Sequence, residues 1–171
     1  MTKEEEIGLR IRDALEQDVR EMMEIFNYEV RNTTASFAIQ EKTYEDRLEW
    51  FHAHGTENHP LIVAEEDGRV AGYACLSQYR PHEAYRKTVE LSVYVSPEFR
   101  KRGVGEALMQ EIIRLAGEDR NTRTVISVIT AENQASIRLH EKMGFSFCGT
   151  MHEVGEKFGR MLDIVNYELL V

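Results

Sequence analysis

The first apolar and polar positions of the chain alternate, and Leu9-Arg10-Ile11-Arg12 predicts a strand with one buried face. Behind it Ala14, Val19, Met22, Met23, Ile25 and Phe26 recur near helical spacing, with Asp18 at the first turn, where negative charge is favoured. The pattern runs on from Asn27 until Thr33-Thr34 loosens it. Tyr44, Leu48 and Phe51 share one side of a second helix, and a polar loop spans His52 to Pro60. Two apolar runs, Leu61 to Glu65 and Val70 to Leu76, flank the turn signal Glu66-Asp67-Gly68-Arg69 and predict a hairpin. After a loop from Gln78 to Lys87, residues 88–95 form a strand with unlike faces. Val89, Leu91, Val93 and Val95 are set against Thr88, Glu90, Ser92 and Tyr94, so one face packs and the other is available for chemistry. Val104, Ala107, Leu108, Ile112 and Leu115 then form one helical stripe ending before Gly117. A strand over 124–129, a helix over 134–143 stopped by Gly144, and strands over 145–151 and 163–170 complete the order, the last two flanking a loop over 155–160. The order is that of one α/β domain over residues 1–171, with residues 1–8 as an acidic tail.

Composition narrows this picture without changing it. A chain of 171 residues, 42% apolar and 30% charged with three prolines, suits one globular domain with a substantial core. Its longest aliphatic run, Leu61-Ile62-Val63-Ala64, is too short to cross a bilayer. A net charge of −9 disfavours nucleic acid and anionic lipid as partners. The acidic start lacks a signal or transit pattern, which predicts a cytoplasmic protein. Cys75 and Cys148 fit no CxxC or zinc spacing and are expected as buried thiols. His52-x-His54 with His59 completes no recognised ligand set, so no metal is expected.

The connection Val95-Ser96-Pro97-Glu98-Phe99-Arg100-Lys101-Arg102-Gly103-Val104-Gly105 has the makings of a phosphate cradle. Its glycines allow close backbone approach, the following helix offers free amides, and three cations surround the turn. A solvated strand-to-helix turn also accommodates a lone Gly-x-Gly. Here the succession of strand, cationic turn, glycines and helix favours an anion site. No Gly-Lys-Ser/Thr follows, and the third glycine of the dinucleotide fingerprint is missing.

Arg100-x-x-Gly103-x-Gly105 after a Val-x-Pro strand end, with Glu132-Asn133-x-x-Ser136-x-x-Leu139-His140-Glu141-x-x-Gly144-Phe145 downstream, resembles the acetyl-CoA site of the GNAT N-acetyltransferases. The resemblance covers nearly the whole chain. Ser77-x-Tyr79-Arg80-Pro81, residues 84–95 and residues 154–163 are similar to the branch that acetylates phosphinothricin and methionine sulfoximine. The resemblance implies a mixed, mostly antiparallel sheet flanked by helices, with two central parallel strands splayed around acetyl-CoA, and a homodimer. It implies that the backbone of Val93, Tyr94 and Val95 meets the acetyl and pantetheine end. Arg100, Lys101, Arg102, Gly103, Val104, Gly105 and Glu106 would serve the pyrophosphate, with Asn133 and Ser136 farther along the ligand.

Glu90 interrupts an apolar strand, and a carboxylate there can take a proton, directly or through water, from an acceptor ammonium. A structural ion pair with Arg80, Arg86 or Lys87 is the competing reading, and the resemblance favours catalysis. His140 stands where many relatives carry a tyrosine held to protonate the departing thiolate. A histidine can do that, act as a base, or simply fill the core. Asn133 also suits the N-cap of the helix from Gln134. Arg80 and Arg86 suit the carboxylate of an amino-acid-like acceptor, with Phe37, Tyr79 and Tyr85 as pocket walls and Lys157 and Arg160 reaching in from the late loop. Val128 replaces a glycine of the phosphinothricin enzymes beside the acceptor pocket, and Glu29, Glu156 and Met161 replace aromatic residues. Methionine sulfoximine or sulfone is therefore favoured over phosphinothricin as acceptor. The expected reaction is direct acetyl transfer. The alternatives are a non-catalytic acyl-CoA sensor, or an acetyltransferase for polyamines or protein N-termini.

Overall fold

The computed structural model describes residues 8–171; residues 1–7, most of the expected acidic tail, lie outside the described residues. The elements are β1 (Leu9–Asp13), α1 (Val19–Asn32), α2 (Tyr44–His52), β2 (Leu61–Glu66), β3 (Arg69–Gln78), β4 (Thr88–Val95), α3 (Val104–Glu118), β5 (Thr124–Thr130), α4 (Gln134–Lys142), β6 (Ser146–Lys157) and β7 (Arg160–Leu170). Local chemistry explains several of their limits. Thr43 caps α2 reciprocally with Asp46, each side chain accepting the other's backbone N–H at 3.1 and 2.9 Å. Asp67 and Gly68 both take positive φ, the tight turn that suits the β2–β3 hairpin.

One sheet runs in the order β1-β2-β3-β4-β5-β7-β6, antiparallel everywhere except between β4 and β5. That parallel pair is short. Thr88, Val89 and Glu90 match Thr124, Val125 and Ile126, and beyond them the two strands part. Alternation along the strands divides the core. Ile62, Ala64, Leu76, Val89 and Leu91 pack beneath α3, whose Leu108, Met109 and Ile112 are fully buried. Leu61, Val63, Tyr73 and Cys75 meet Val19, Met22 and Ile25 of α1 on the other face. Tyr94 of β4 joins this second face, its ring 5.4 Å from that of Tyr73 and 5.7 Å from that of Phe26. No helix among the described residues is long and apolar enough to cross a membrane.

Three expectations are corrected. Helix α3 continues through Gly117 to Glu118, because Ala116 is buried and a glycine in an exposed last turn costs only about 1 kcal/mol. The loop expected over 155–160 is largely strand: Gly155, Glu156 and Lys157 pair with Leu162, Met161 and Arg160, and only Phe158 and Gly159, both with positive φ, turn the chain. This hairpin lacked an apolar alternation in the sequence because most of β6 is exposed. Cys75 is buried as expected, whereas Cys148 is exposed on β6, the edge strand.

Candidate active site

The parting of β4 from β5 leaves backbone groups without a strand partner. Ser96 N donates to Ala71 O at 2.9 Å, so by the two-residue period the backbone groups of Ser92 and Tyr94 point at β3 and those of Val93 and Val95 point the other way. The ladder to β5 has ended by then, and Val93 and Val95 face an open edge. Two cavities adjoin it. The smaller, about 250 Å³, is lined by Phe37, Glu90, Ser92, Ser127 and Val128 among others. The larger, about 590 Å³, includes Val95, Arg100, Gly105, Glu132 and Arg160 in its wall. Ala35, Val93, Tyr94, Asn133, Ser136 and His140 line both, which makes the cavities neighbours across a shared wall.

Glu90 stands in the smaller cavity, and burial raises its carboxyl above the usual value of 4.5. The competing ion pairs do not form among the described residues. The Arg80 guanidinium instead lies 5.0 Å from the Tyr79 ring and 5.7 Å from that of Tyr85, and Lys87 Nζ donates to Arg120 O at 3.4 Å. His140 is buried in α4, with Nδ1 2.8 Å from Ser136 O. A carbonyl oxygen only accepts, so Nδ1 carries the hydrogen and Nε2 of the neutral ring holds a bare lone pair. Burial lowers the pKa of His140 below the usual 6.5, which keeps that neutral form at neutral pH. The ring is fixed edge-on to Phe145 at 5.0 Å.

At the start of α3, Gly103 is left-handed at φ 85° and Lys101 at 62°. No side chain caps this helix. Its first backbone-to-backbone bond runs from Ala107 N to Gly103 O, leaving the amides of Val104, Gly105 and Glu106 at the open end. A Cβ on Gly105 would stand 3.6 Å from Val95 Cγ2 and 3.5 Å from Leu139 Cδ2, so that turn sits close against the open edge. A family model described as the acetyltransferase (GNAT) family matches residues 21–145. The chain belongs to this family.

The GNAT chain is 39% identical over 160 residues to the L-methionine sulfoximine/L-methionine sulfone acetyltransferase of Pseudomonas paraeruginosa, covering 93% of this chain and 92% of that one. It is 37% identical over 161 residues to an L-amino acid N-acyltransferase of Escherichia coli, with 94% and 93% covered. The crystal structure of a GNAT-superfamily phosphinothricin acetyltransferase of Sinorhizobium meliloti in complex with acetyl-CoA superposes with a TM-score of 0.90 at 34% identity, covering 96% and 89% of the two chains.

Acetyl-CoA fits the residues of this GNAT site. An extended amide chain can pair with the open edge at Val93 and Val95, and a pyrophosphate matches the uncapped amides of α3. The surrounding cations are less free than their sequence suggests. Arg102 pairs with buried Glu66, Arg100 with buried Glu29, and Glu106 with Lys142 at 2.7 Å. Val104 is in the core, while Lys101 is exposed with no ion pair among the described residues. Asn133 caps α4, accepting from Ser136 N at 3.2 Å, and still lines both cavities.

The acceptor candidates divide. Phe37 and Val128 line the smaller cavity, whereas Tyr79, Arg80, Tyr85 and Arg86 lie in the loop before β4 and line neither described cavity. Lys157 is buried, its Nζ donating to Ser36 O at 2.6 Å, so it fastens the chain rather than facing a ligand. Arg160 grips Glu132 with two nitrogens at 3.0 and 3.1 Å beside the larger cavity. Sequence reading missed Ser127, whose buried hydroxyl has no partner among the described residues although the residue lines the smaller cavity. Nothing distinguishes that serine in sequence, since only the parting of the strands exposes it to a ligand.

Proposed function

We propose that this GNAT enzyme transfers the acetyl group of acetyl-CoA directly to the amine of a small amino-acid-like acceptor such as L-methionine sulfoximine, L-methionine sulfone or phosphinothricin. The observation that carries this reading is the small cavity, about 250 Å³, that holds Glu90 and shares the wall containing His140 with the larger one. The larger takes the cofactor and the smaller the acceptor, whose amine arrives at the shared wall. The relatives named for methionine sulfoximine, methionine sulfone and phosphinothricin support the choice of acceptor.

Acetyl-CoA supplies an activated acetyl thioester. Glu90, with its raised proton affinity, accepts a proton from the acceptor ammonium and frees the nucleophile. The open amide of Val93 donates to the carbonyl oxygen as negative charge develops there, while that of Val95 stays with the amide chain of the cofactor. His140 Nε2 takes the second amine proton as nitrogen attacks and then returns it to the departing sulfur. Its role thus begins as a base and ends as an acid.

One feature favours a second acceptor class. Among the described residues, the wall of the smaller cavity contains no lysine or arginine to meet a carboxylate, and the chain carries a net charge of −9, both suited to a polyamine or a peptide N-terminus. The deciding assay follows release of CoA thiol with methionine sulfoximine, methionine sulfone, phosphinothricin, polyamines and short peptides. Release confined to the amino-acid analogues supports the proposal. Release only with polyamines or peptides replaces the acceptor, and acetyl-CoA binding without any release makes the chain a sensor.

A further inference from the structure

The segment after α1, residues 33–38, is a strap across both cavities: Thr33 and Thr34 line the larger, Ser36 and Phe37 the smaller, and Ala35 both. It is fastened to residues of β5, the turn after β5, and the β6–β7 hairpin. Lys157 Nζ bonds Ser36 O at 2.6 Å and Glu29 O at 3.4 Å. Thr34 Oγ1 donates to Glu132 at 2.7 Å, Glu132 is gripped by Arg160, and Thr130 Oγ1 donates to Thr34 O. Between these fastenings the Phe37 ring rests on β6. A Cβ placed on Gly155 would stand 2.3 Å from Phe37 Cε2, 2.7 Å from Cδ2 and 3.1 Å from Cζ. Gly155 lies outside the left-handed region, so backbone conformation does not call for glycine there. The ring does. Gly155 itself does not line the cavity, because Phe37 stands between them.

We propose that Gly155 is a specificity-determining position: the room it leaves beneath the Phe37 ring sets how far that ring projects into the acceptor cavity, and so which acceptor side chains enter. The proposal rests on the reading of the smaller cavity as the acceptor site. A methyl group at 155 must move the ring by more than an ångström to reach ordinary contact. The backbone beside the ring is fastened through Ser36 O to Lys157 and through Ala38 N to Ser36 Oγ at 3.1 Å. The ring, 38% exposed and lining the cavity of about 250 Å³, is therefore expected to turn about its own side-chain bonds, off β6 and toward that cavity. Gly155 acts through Phe37 and is a positioning residue.

The test is steady-state kinetics on Gly155→Ala, Phe37→Ala and the double variant, with acetyl-CoA and L-methionine sulfone each varied. Gly155→Ala is expected to raise the KM for methionine sulfone about tenfold, the cost of a small steric mismatch in a tight pocket. The acetyl-CoA KM and kcat should stay within about twofold. In the Phe37→Ala background the added methyl should change nothing. A penalty that persists without the Phe37 ring overturns the proposal, as does a folded Gly155→Ala protein with the parent KM. If Gly155→Ala alone does not fold, a folded double variant with the kinetics of Phe37→Ala supports the contact, and an unfolded double variant overturns it. Should Phe37→Ala move only the acetyl-CoA KM, the assignment of the cavity fails together with the proposal. A Phe37→Ala effect on acceptor KM without one from Gly155→Ala sinks the role of Gly155 alone.

Discussion

Glu90 and His140 are pushed in opposite directions by the same cause. Burial disfavours the charged form of each, raising the proton affinity of the carboxylate and lowering that of the imidazole. Both must begin deprotonated, so the acid limb of kcat/KM is expected above the ordinary carboxylate value of 4.5, as a pH–rate profile would show. Glu90→Gln should lower kcat by about 10²- to 10⁴-fold while calorimetric binding of acetyl-CoA is retained. The same change should affect stability. Because Glu90 binds its proton more tightly folded than unfolded, its contribution is present below the ordinary carboxylate value and is lost as pH rises through the folded value. Glu90→Gln should accordingly melt higher than the parent at pH 7, with the gap closing near pH 4; a lower Tm at pH 7 would show that the carboxylate is structurally satisfied. Glu90 was legible in sequence because it is the one charged residue of its strand, on the polar face. The tautomer of His140 was not, since it depends on a carbonyl one helical turn away.

Among the elements, the turn into α3 and the β6–β7 hairpin hold the site through buried charge. Glu66 pairs with Arg102 of the α3 turn, its second oxygen buried without a partner among the described residues. Breaking that pair loosens the turn where the pyrophosphate would sit, so Glu66→Gln should raise the acetyl-CoA KM several-fold and leave the acceptor KM alone, as kinetics with each substrate varied would show. Lys157 does the corresponding work for the strap. Lys157→Met leaves Ser36 O without its donor, for a stability loss of about 1–3 kcal/mol by denaturant titration and faster amide exchange across residues 33–38. The three cations of the α3 turn were plain in the sequence. That two of them answer buried glutamates from β2 and α1 was not, because Glu66 and Glu29 are distant in the chain and look like surface residues.

At the scale of the molecule, the outer β6–β7 hairpin is the surface proposed for the homodimer that the family resemblance implies. Phe147, Met151, Val154 and Met161 are all exposed there although apolar. Light scattering should give a dimer that Met151→Glu with Met161→Glu converts to monomer; an unchanged mass would place any interface elsewhere. The amino-acid sequence by itself determined most of the succession of elements, the cap at Asn133, and the two-faced strand that carries Glu90, because these depend on side-chain period and on neighbours within a turn. Its motifs also pointed to the family. The family resemblance implied that two central strands splay, but tertiary structure alone decided that β4 and β5 part after Glu90, that Lys157 fastens a strap instead of meeting a ligand, that Arg80 stacks on tyrosines outside the cavity, and that Phe37 needs a glycine beneath it. Each of these is a contact between segments far apart in the chain, whose meeting is set by strand register and packing, and no local pattern encodes it.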